Sequence, residues 1–105
     1  MARVIILEPT SLVLKETETF GELVYVSSIK FNIFSIETMV QKINTKLKEI
    51  GYNPLDDLIC LTGSAQKVAL FLGVVASRHP EFIVLIFDSK TNKYKQRMFK
   101  NDDNN

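Results

Sequence analysis

Residues 58–78, with the sequence LICLTGSAQKVALFLGVVASR, decide the fold. The four apolar residues at the start predict a short buried strand. Thr62, Gly63 and Ser64 supply a turn, and Ala65–Arg78 has the composition of a helix. A strand, a turn and a helix in this order begin a crossover between parallel strands. The stretch therefore predicts an α/β fold.

The turn before this helix has two interpretations. The first N–H groups of a helix lack partners, so the turn can bind an anion such as phosphate. Ser64 is also a natural N-cap, and every junction of this kind needs a cap whether or not a ligand binds. Lys67 lies at the positive end of the helix dipole, where an anionic ligand would favour it. An extended lysine that reaches into solvent explains it nearly as well.

The helix also carries a stripe of small residues, namely Ala65, Ala69, Gly73 and Ala76. Gly73 in a helix interior costs about 1 kcal/mol relative to alanine. Apolar side chains occupy the remaining faces, so we expect the helix to be buried all round. One sheet face can bury only half of it. We therefore expect either a homodimer through Ala65–Arg78 or a cover made by the N-terminal segment.

Apolar patterns place the other elements. Residues 4–7 and 20–26 predict strands that could form an antiparallel hairpin, with residues 12–14 as the alternative partner. Residues 35–50 have the 3.6-residue period of a helix, with Ser35 as N-cap and Gly51 as the left-handed stop. The run at 82–87 predicts a strand covered on both faces, and 94–99 an antiparallel edge strand.

Together the elements predict a single α/β domain over residues 1–100 and a disordered tail at 101–105. The domain would have two or three layers, a mixed and mostly parallel sheet, two crossover helices and a C-terminal β-hairpin. The chain has 105 residues and a formal net charge of +1, which excludes a strong overall attraction to nucleic acid. No apolar run approaches the roughly 18 residues of a membrane span, so we expect a cytoplasmic protein without membrane contact.

The residue types of catalytic and metal sites do not form a pattern. Asp56 and Asp57 are adjacent and favour turn chemistry before a strand. His79 and the single Cys60 have no convincing partners, so we predict no catalytic residues, no metal site and no cofactor. Lys48 and its lysine neighbours fit a solvated helix face. The sequence favours a non-enzymatic role without deciding it.

Ligands of parallel sheets gather outside the carboxyl ends of the strands. Three polar segments should meet there. They supply the predicted ligand-binding residues, which are Ser27, Ser28, Thr62, Gly63, Ser64, Lys67 and Asp88. Hydroxyls, backbone donors and one carboxylate would suit a nucleotide or another polar anion.

Two resemblances add to this interpretation. The segments LICLTGSAQKVALFLGVVA and FIVLIFDSKTNKY resemble the closing half of small uncharacterised proteins of phages and mobile elements, over residues 57–99. This resemblance implies a fold but no activity. The turn is also similar to that of CRISPR-associated Rossmann-fold sensor domains, which bind cyclic oligoadenylates as dimers. Thr62 and Gly63 match their Thr-Gly-Gly-Thr-Lys motif, whereas Ser64 departs from it and Lys67 stands one residue late.

Three functional hypotheses follow. The first is a non-enzymatic accessory module of viral or mobile-element type, which acts as a homodimer on a host or viral macromolecule. The alternative is a nucleotide or cyclic-oligonucleotide binder that uses the carboxyl-end edge of the sheet. The third is nucleic-acid binding by the basic terminal hairpin with help from Tyr94, and it ranks below the other two.

Overall fold

The structure, a computed structural model, describes residues 2–7, 18–26 and 35–100. These residues form a small α/β domain with five strands and two α-helices. The strands are β1 (Arg3–Ile6), β2 (Glu22–Tyr25), β3 (Leu58–Cys60), β4 (Glu81–Asp88) and β5 (Lys93–Lys100). The helices are α1 (Ile36–Glu49) and α2 (Ala65–Arg78), and a 3₁₀ turn spans Glu18–Phe20.

The sheet is mixed and mostly parallel, as predicted. Its strand order is β2-β1-β3-β4-β5. The first four strands run parallel to one another, and β5 pairs antiparallel with β4 as the predicted C-terminal hairpin. The order reverses at β1, as it does in doubly wound sheets. The crevice between the carboxyl ends of β1 and β3 is therefore the usual ligand position of this topology.

The predicted antiparallel pairing of the first two strands is wrong. Strands β1 and β2 are parallel, with Arg3 opposite Glu22 and Ile6 opposite Tyr25. Parallel strands need a crossover of about a dozen residues or more, and residues 7–21 provide that length. Phe20, predicted to start the second strand, lies in the 3₁₀ turn instead. The alternative partner at 12–14 lies outside the described residues.

The core occupies both faces of the sheet. On one face the strand residues Ile5, Ile59 and Val84 pack with Met39 of α1 and Phe71 of α2. Among the described residues, both helices lie on this face. The alternating strand residues form the second cluster, against which Phe20 and Leu23 pack. Its members are Val4, Ile6, Leu58, Cys60, Ile83, Leu85 and Tyr94.

Strand β4 is only partly covered, contrary to the prediction. Phe82, Val84 and Leu85 are buried, but Ile86 is 43% exposed and Phe87 is 45% exposed. Because consecutive strand residues point to opposite faces, both faces of the strand are open to solvent at its carboxyl end.

Helix α1 confirms the periodicity of the sequence. Met39, Ile43 and Leu47 are its buried residues and form one stripe. Gly51 follows the helix with φ of +66°, the left-handed conformation that the prediction assigned to it. Ser35 is at the N-cap position, but its side chain makes no capping hydrogen bond. The predicted position of the N-cap is therefore correct, but the capping hydrogen bond expected from Ser35 does not form.

Helix α2 is not buried all round within the chain. Phe71, Val74 and Val75 are buried, whereas Ala69 and Gly73 are exposed. A methyl group added at Gly73 would meet no atom within 4 Å. One side of the helix packs on the sheet and on α1, and Ala76 packs against the same core. The other small residues, Ala65, Ala69 and Gly73, are exposed.

A partly buried ion pair joins the start of β1 to the loop before β3. The guanidinium of Arg3 donates from Nε to Oδ1 of Asp57 at 3.1 Å and from Nη2 to Oδ2 at 2.7 Å. Arg3 also donates to the backbone carbonyl oxygens of Ile50 and Gly51. Asp57 is only 2% exposed and accepts a further bond from the backbone N–H of Asn53. The hydrogen bonds to Asp57 raise the pKa of Arg3 above its ordinary value.

Candidate functional site

The turn between β3 and α2 has the predicted local structure. Gly63 has φ of +110°, which favours glycine. The hydroxyl oxygen of Ser64 accepts a hydrogen bond from the backbone N–H of Lys67 at 3.3 Å, so the predicted N-cap is confirmed. Thr62, Gly63, Ser64 and Lys67 therefore lie together at the carboxyl end of β3. The other predicted serines, 27 and 28, lie outside the described residues.

Asp88 belongs to the turn of the terminal hairpin. Its carboxylate accepts a hydrogen bond from the backbone N–H of Lys90 at 3.0 Å and pairs with Nζ of Lys95 at 2.9 Å. The bond from Lys95, followed by that from Lys90, lowers the pKa of Asp88. In the register of the sheet, Leu85 stands opposite Cys60, so β4 continues three residues beyond the end of β3 before it reaches Asp88. These contacts give Asp88 a role in the hairpin.

The described residues contain no arrangement typical of a metal site. No group of three or more His, Cys, Asp or Glu within them could hold a metal ion. Cys60 is a free buried thiol, and burial raises its pKa. Neither helix of the described chain is long and apolar enough to cross a membrane.

A cleft of about 530 Å³ lies at the opposite end of the sheet, on the side of the amino-terminal ends of the parallel strands, where both helices end. Helix α1 contributes Asn44, Thr45, Leu47 and Lys48 to its lining. The other lining residues are Tyr52, Arg78 and His79, from the segments that follow α1 and end α2. The cleft volume is within the range of small-molecule sites, which is about 300–1,000 Å³.

The cationic side chains that line this cleft come from the carboxyl ends of the two helices. Lys48 and Arg78 occupy the last turns of α1 and α2, where positive charge is favoured by the negative end of the helix dipole. Neither side chain has an ion-pair partner among the described residues. The rings of Tyr52 and His79 pack edge to face, with their centroids 5.5 Å apart, and form an apolar part of the cleft wall.

Two polar atoms of the cleft residues lack hydrogen-bond partners among the described residues. They are the side-chain oxygen of Asn44 and the hydroxyl of Tyr52, and both atoms are buried. An unpaired buried polar atom costs about 1–3 kcal/mol. Burial, and to a lesser extent the charge of Asp57, raises the pKa of Tyr52, so its phenol stays protonated and can donate.

The sequence analysis did not predict this cleft, because it considered each helix separately. Both crossovers return to the same edge of the sheet, so the ends of the two helices must lie near each other. With each helix considered alone, Lys48 was assigned to a solvated helix face and Arg78 to a helix end. Their convergence depends on the packing of α1 against α2.

The terminal hairpin presents a mixed surface. Four of its large apolar side chains are between 43% and 47% exposed, and we call them, together with the basic side chains of β5, the hairpin surface. The apolar members are Ile86, Phe87, Met98 and Phe99, and the basic ones are Lys93, Lys95, Arg97 and Lys100. Tyr94 is only 7% exposed, so its ring is not available for the help that the nucleic-acid hypothesis expected from it.

The described residues form a small α/β domain with a five-stranded mixed sheet and two α-helices. The chain belongs to the phage Pam3 gp32-like protein family, whose model matches residues 8–101. This confirms the resemblance to small phage proteins. Searches of curated proteins and of solved structures find no match. The similarity of the turn to CRISPR-associated sensor domains is not shown.

Proposed function

We propose that this phage-family protein is a non-enzymatic accessory module that acts as a homodimer on a macromolecular partner of the host or the virus. The observation that carries the binding role is the hairpin surface. Aromatic residues, Met and Arg are enriched in protein interfaces. On this hairpin Phe99 and Ile86 share one face with Arg97, and Phe87 and Met98 are exposed on the other face. Such a surface fits a protein partner that is acidic and partly apolar.

The outward face of α2 supports the dimer. Ala65, Ala69 and Gly73 leave a shallow stripe on which the backbone of a second copy of α2 can approach closely. No contact within the described chain requires a glycine at 73, and its backbone does not have positive φ. A glycine costs about 1 kcal/mol in a helix, so a close neighbour from another chain is a physical reason to keep it.

Light scattering coupled to size-exclusion chromatography tests the dimer. We expect the wild-type protein at micromolar concentration to have twice the 12.0 kDa mass of one chain. Ala69→Glu places a charge in the proposed interface and should give monomers. Thr38→Glu, at an exposed position of α1, is the matched control and should leave the dimer intact. A wild-type protein that stays monomeric would refute this arrangement.

The strand order favours a second candidate, a nucleotide or cyclic-oligonucleotide binder. The turn at Thr62, Gly63 and Ser64 follows β3 next to the point at which the order reverses. Backbone donors at such a position bind phosphates in doubly wound proteins. A thermal-shift screen with mononucleotides and cyclic oligonucleotides tests this, because a ligand of the folded state raises the melting temperature. A rise that Lys67→Gln abolishes would support this site, and unchanged melting with every nucleotide would exclude it.

A further inference from the structure

Strand β5 lies at one end of the sheet that the described residues form. It pairs with β4 over its whole length of Lys93–Lys100, and no described strand lies on its other side. An edge strand presents backbone N–H and C=O groups that can pair with another chain. The strand at the opposite end, β2, has four residues, whereas β5 has eight. Strand β5 therefore offers the longer edge for a further strand.

The hydrogen bonds of β4 show which backbone groups of β5 point outward. The carbonyl oxygen of Leu85 accepts a bond from the backbone N–H of Leu61 at 3.1 Å, so the backbone groups of Leu85 face β3. Gln96 stands opposite Leu85, so this pair is not hydrogen-bonded and the N–H and C=O of Gln96 point away from β4. Alternation gives Met98 the same direction. The carbonyl oxygen of Gln96 accepts a bond from Nη1 of Arg97 at 2.8 Å, which fits an exposed acceptor.

The two faces of β5 have different chemistry. Lys93, Lys95 and Arg97 project from the face of the sheet on which both helices lie, and they form a basic row. Gln96 and Met98 project from the other face, and Met98 is 45% exposed. A strand added at this edge would therefore place every second side chain beside the basic row and the others beside Gln96 and Met98.

The charge of β5 determines what can occupy this edge. The strand has four basic side chains and no acidic one. Lys95 pairs with Asp88, but Lys93 and Arg97 have no carboxylate partner among the described residues. A second copy of β5 would bring two basic rows together, and like charges opposite each other on paired strands are destabilising. Acidic side chains opposite the row would be stabilising, so the edge fits an acidic strand rather than a second β5.

We propose that an extended acidic segment of the partner protein adds to β5 as a further antiparallel strand. Its carboxylates lie beside the basic row, and its apolar side chains lie beside Gln96 and Met98. The antiparallel direction is slightly more stable per residue than the parallel one. This inference rests on the binding role proposed for the hairpin surface, and it adds the conformation and the chemistry of the partner segment.

Fluorescence anisotropy with a labelled peptide that alternates glutamate and valine over the length of β5 tests the proposal. Two control peptides of the same charge carry methyl groups on backbone nitrogens, one on those of valine and one on those of glutamate. In the antiparallel pair, the valines opposite Gln96 and Met98 exchange backbone hydrogen bonds with β5. Methylated valine nitrogens should therefore weaken binding at least about tenfold, because several hydrogen bonds are lost. Methylated glutamate nitrogens point away from β5 and should leave binding unchanged.

A pair of charge-reversal variants tests the basic row. Arg97→Glu and Lys42→Glu change the net charge equally, and Lys42 is exposed on α1. Arg97→Glu should weaken binding of the unmodified peptide about tenfold, because a favourable charge pair becomes a repulsive one. Lys42→Glu should bind the peptide as the wild type does.

Amide hydrogen exchange locates the peptide on the wild-type protein without any substitution. At a peptide concentration of about ten times the dissociation constant, the amides of Gln96 and Met98 should exchange about tenfold more slowly, because about a tenth of the molecules remain unbound. The amide of Arg97 faces β4 and should exchange as before.

The outcomes separate this inference from the binding role on which it rests. Equal binding of the two methylated peptides overturns strand addition and leaves the hairpin surface as a binding surface. Slowed exchange confined to residues outside β4 and β5 overturns both. No binding of the unmodified peptide up to about 1 mM overturns strand addition. A single-stranded oligonucleotide that binds to β5 more tightly than the peptide would also overturn it.

Discussion

Replacing Arg3 by methionine should destabilise the protein more than any exposed substitution. The change removes both hydrogen bonds to Asp57 and both bonds to the carbonyl oxygens of Ile50 and Gly51. Asp57 would remain buried as a carboxylate that still accepts a hydrogen bond from the backbone N–H of Asn53. Loss of one partner of a buried pair costs about 3–5 kcal/mol. The side chain of Arg3 is 27% exposed, so the lower half of this range applies.

Urea unfolding followed by far-ultraviolet circular dichroism measures the effect, since the chain has no tryptophan. With a slope of about 1–3 kcal/mol per molar urea, a loss near 3 kcal/mol lowers the midpoint by about 1–3 M. Asp57→Asn should cost less than Arg3→Met, because the Arg3 side chain can turn to solvent whereas a lone Asp57 cannot. The double variant should lose less than the sum of the two. Strictly additive losses below about 1 kcal/mol each would refute the reasoning.

Two further predictions concern a glycine and alkaline pH. Gly21→Ala should destabilise the fold by at least about 2 kcal/mol, because its φ is +155° and the new methyl carbon would lie 2.2 Å from the Ala2 carbonyl oxygen. Thr38→Ala, at an exposed position of α1 outside the proposed dimer interface, is the control and should not lower the stability, so equal urea midpoints for the two variants would contradict this. Burial raises the pKa of both Cys60 and Tyr52. Their stabilising effect is therefore complete below the unfolded values of about 8.5 and 10 and is lost as pH rises through the folded values. The melting temperature should fall from pH 8 to 11, and the fall should be smaller in a Cys60→Val, Tyr52→Phe double variant; an identical fall would contradict the assignment.

Local patterns predicted the elements well. The 3.6-residue period of α1, the Gly51 stop and the turn at Ser64 each depend on residues close together in the chain, and the structure confirms them. The fold class followed from the order of strands and helices. The relative direction of β1 and β2 could not be predicted in this way, because a strand has the same apolar pattern whether its neighbour is parallel or antiparallel.

Local patterns could not predict contacts between residues that are far apart in the sequence. Arg3 and Asp57 are 54 positions apart, so their pairing depends on the placement of β1 beside β3. The same is true of the cleft, whose residues come from the ends of two helices. The exposure of Ala69 and Gly73 also depends on packing, since the sequence shows which residues are small but not which side of α2 the sheet covers.

The position of β1 in the sheet has a consequence for synthesis of the protein. This strand lies between β2 and β3, yet it is made first of the three. Until Leu58–Cys60 has left the ribosome, one edge of β1 has no native neighbour, and the ion pair of Arg3 cannot form. A nascent chain that ends after α1 should therefore be open to proteases, and protection should arise late and in a single step once β3 emerges.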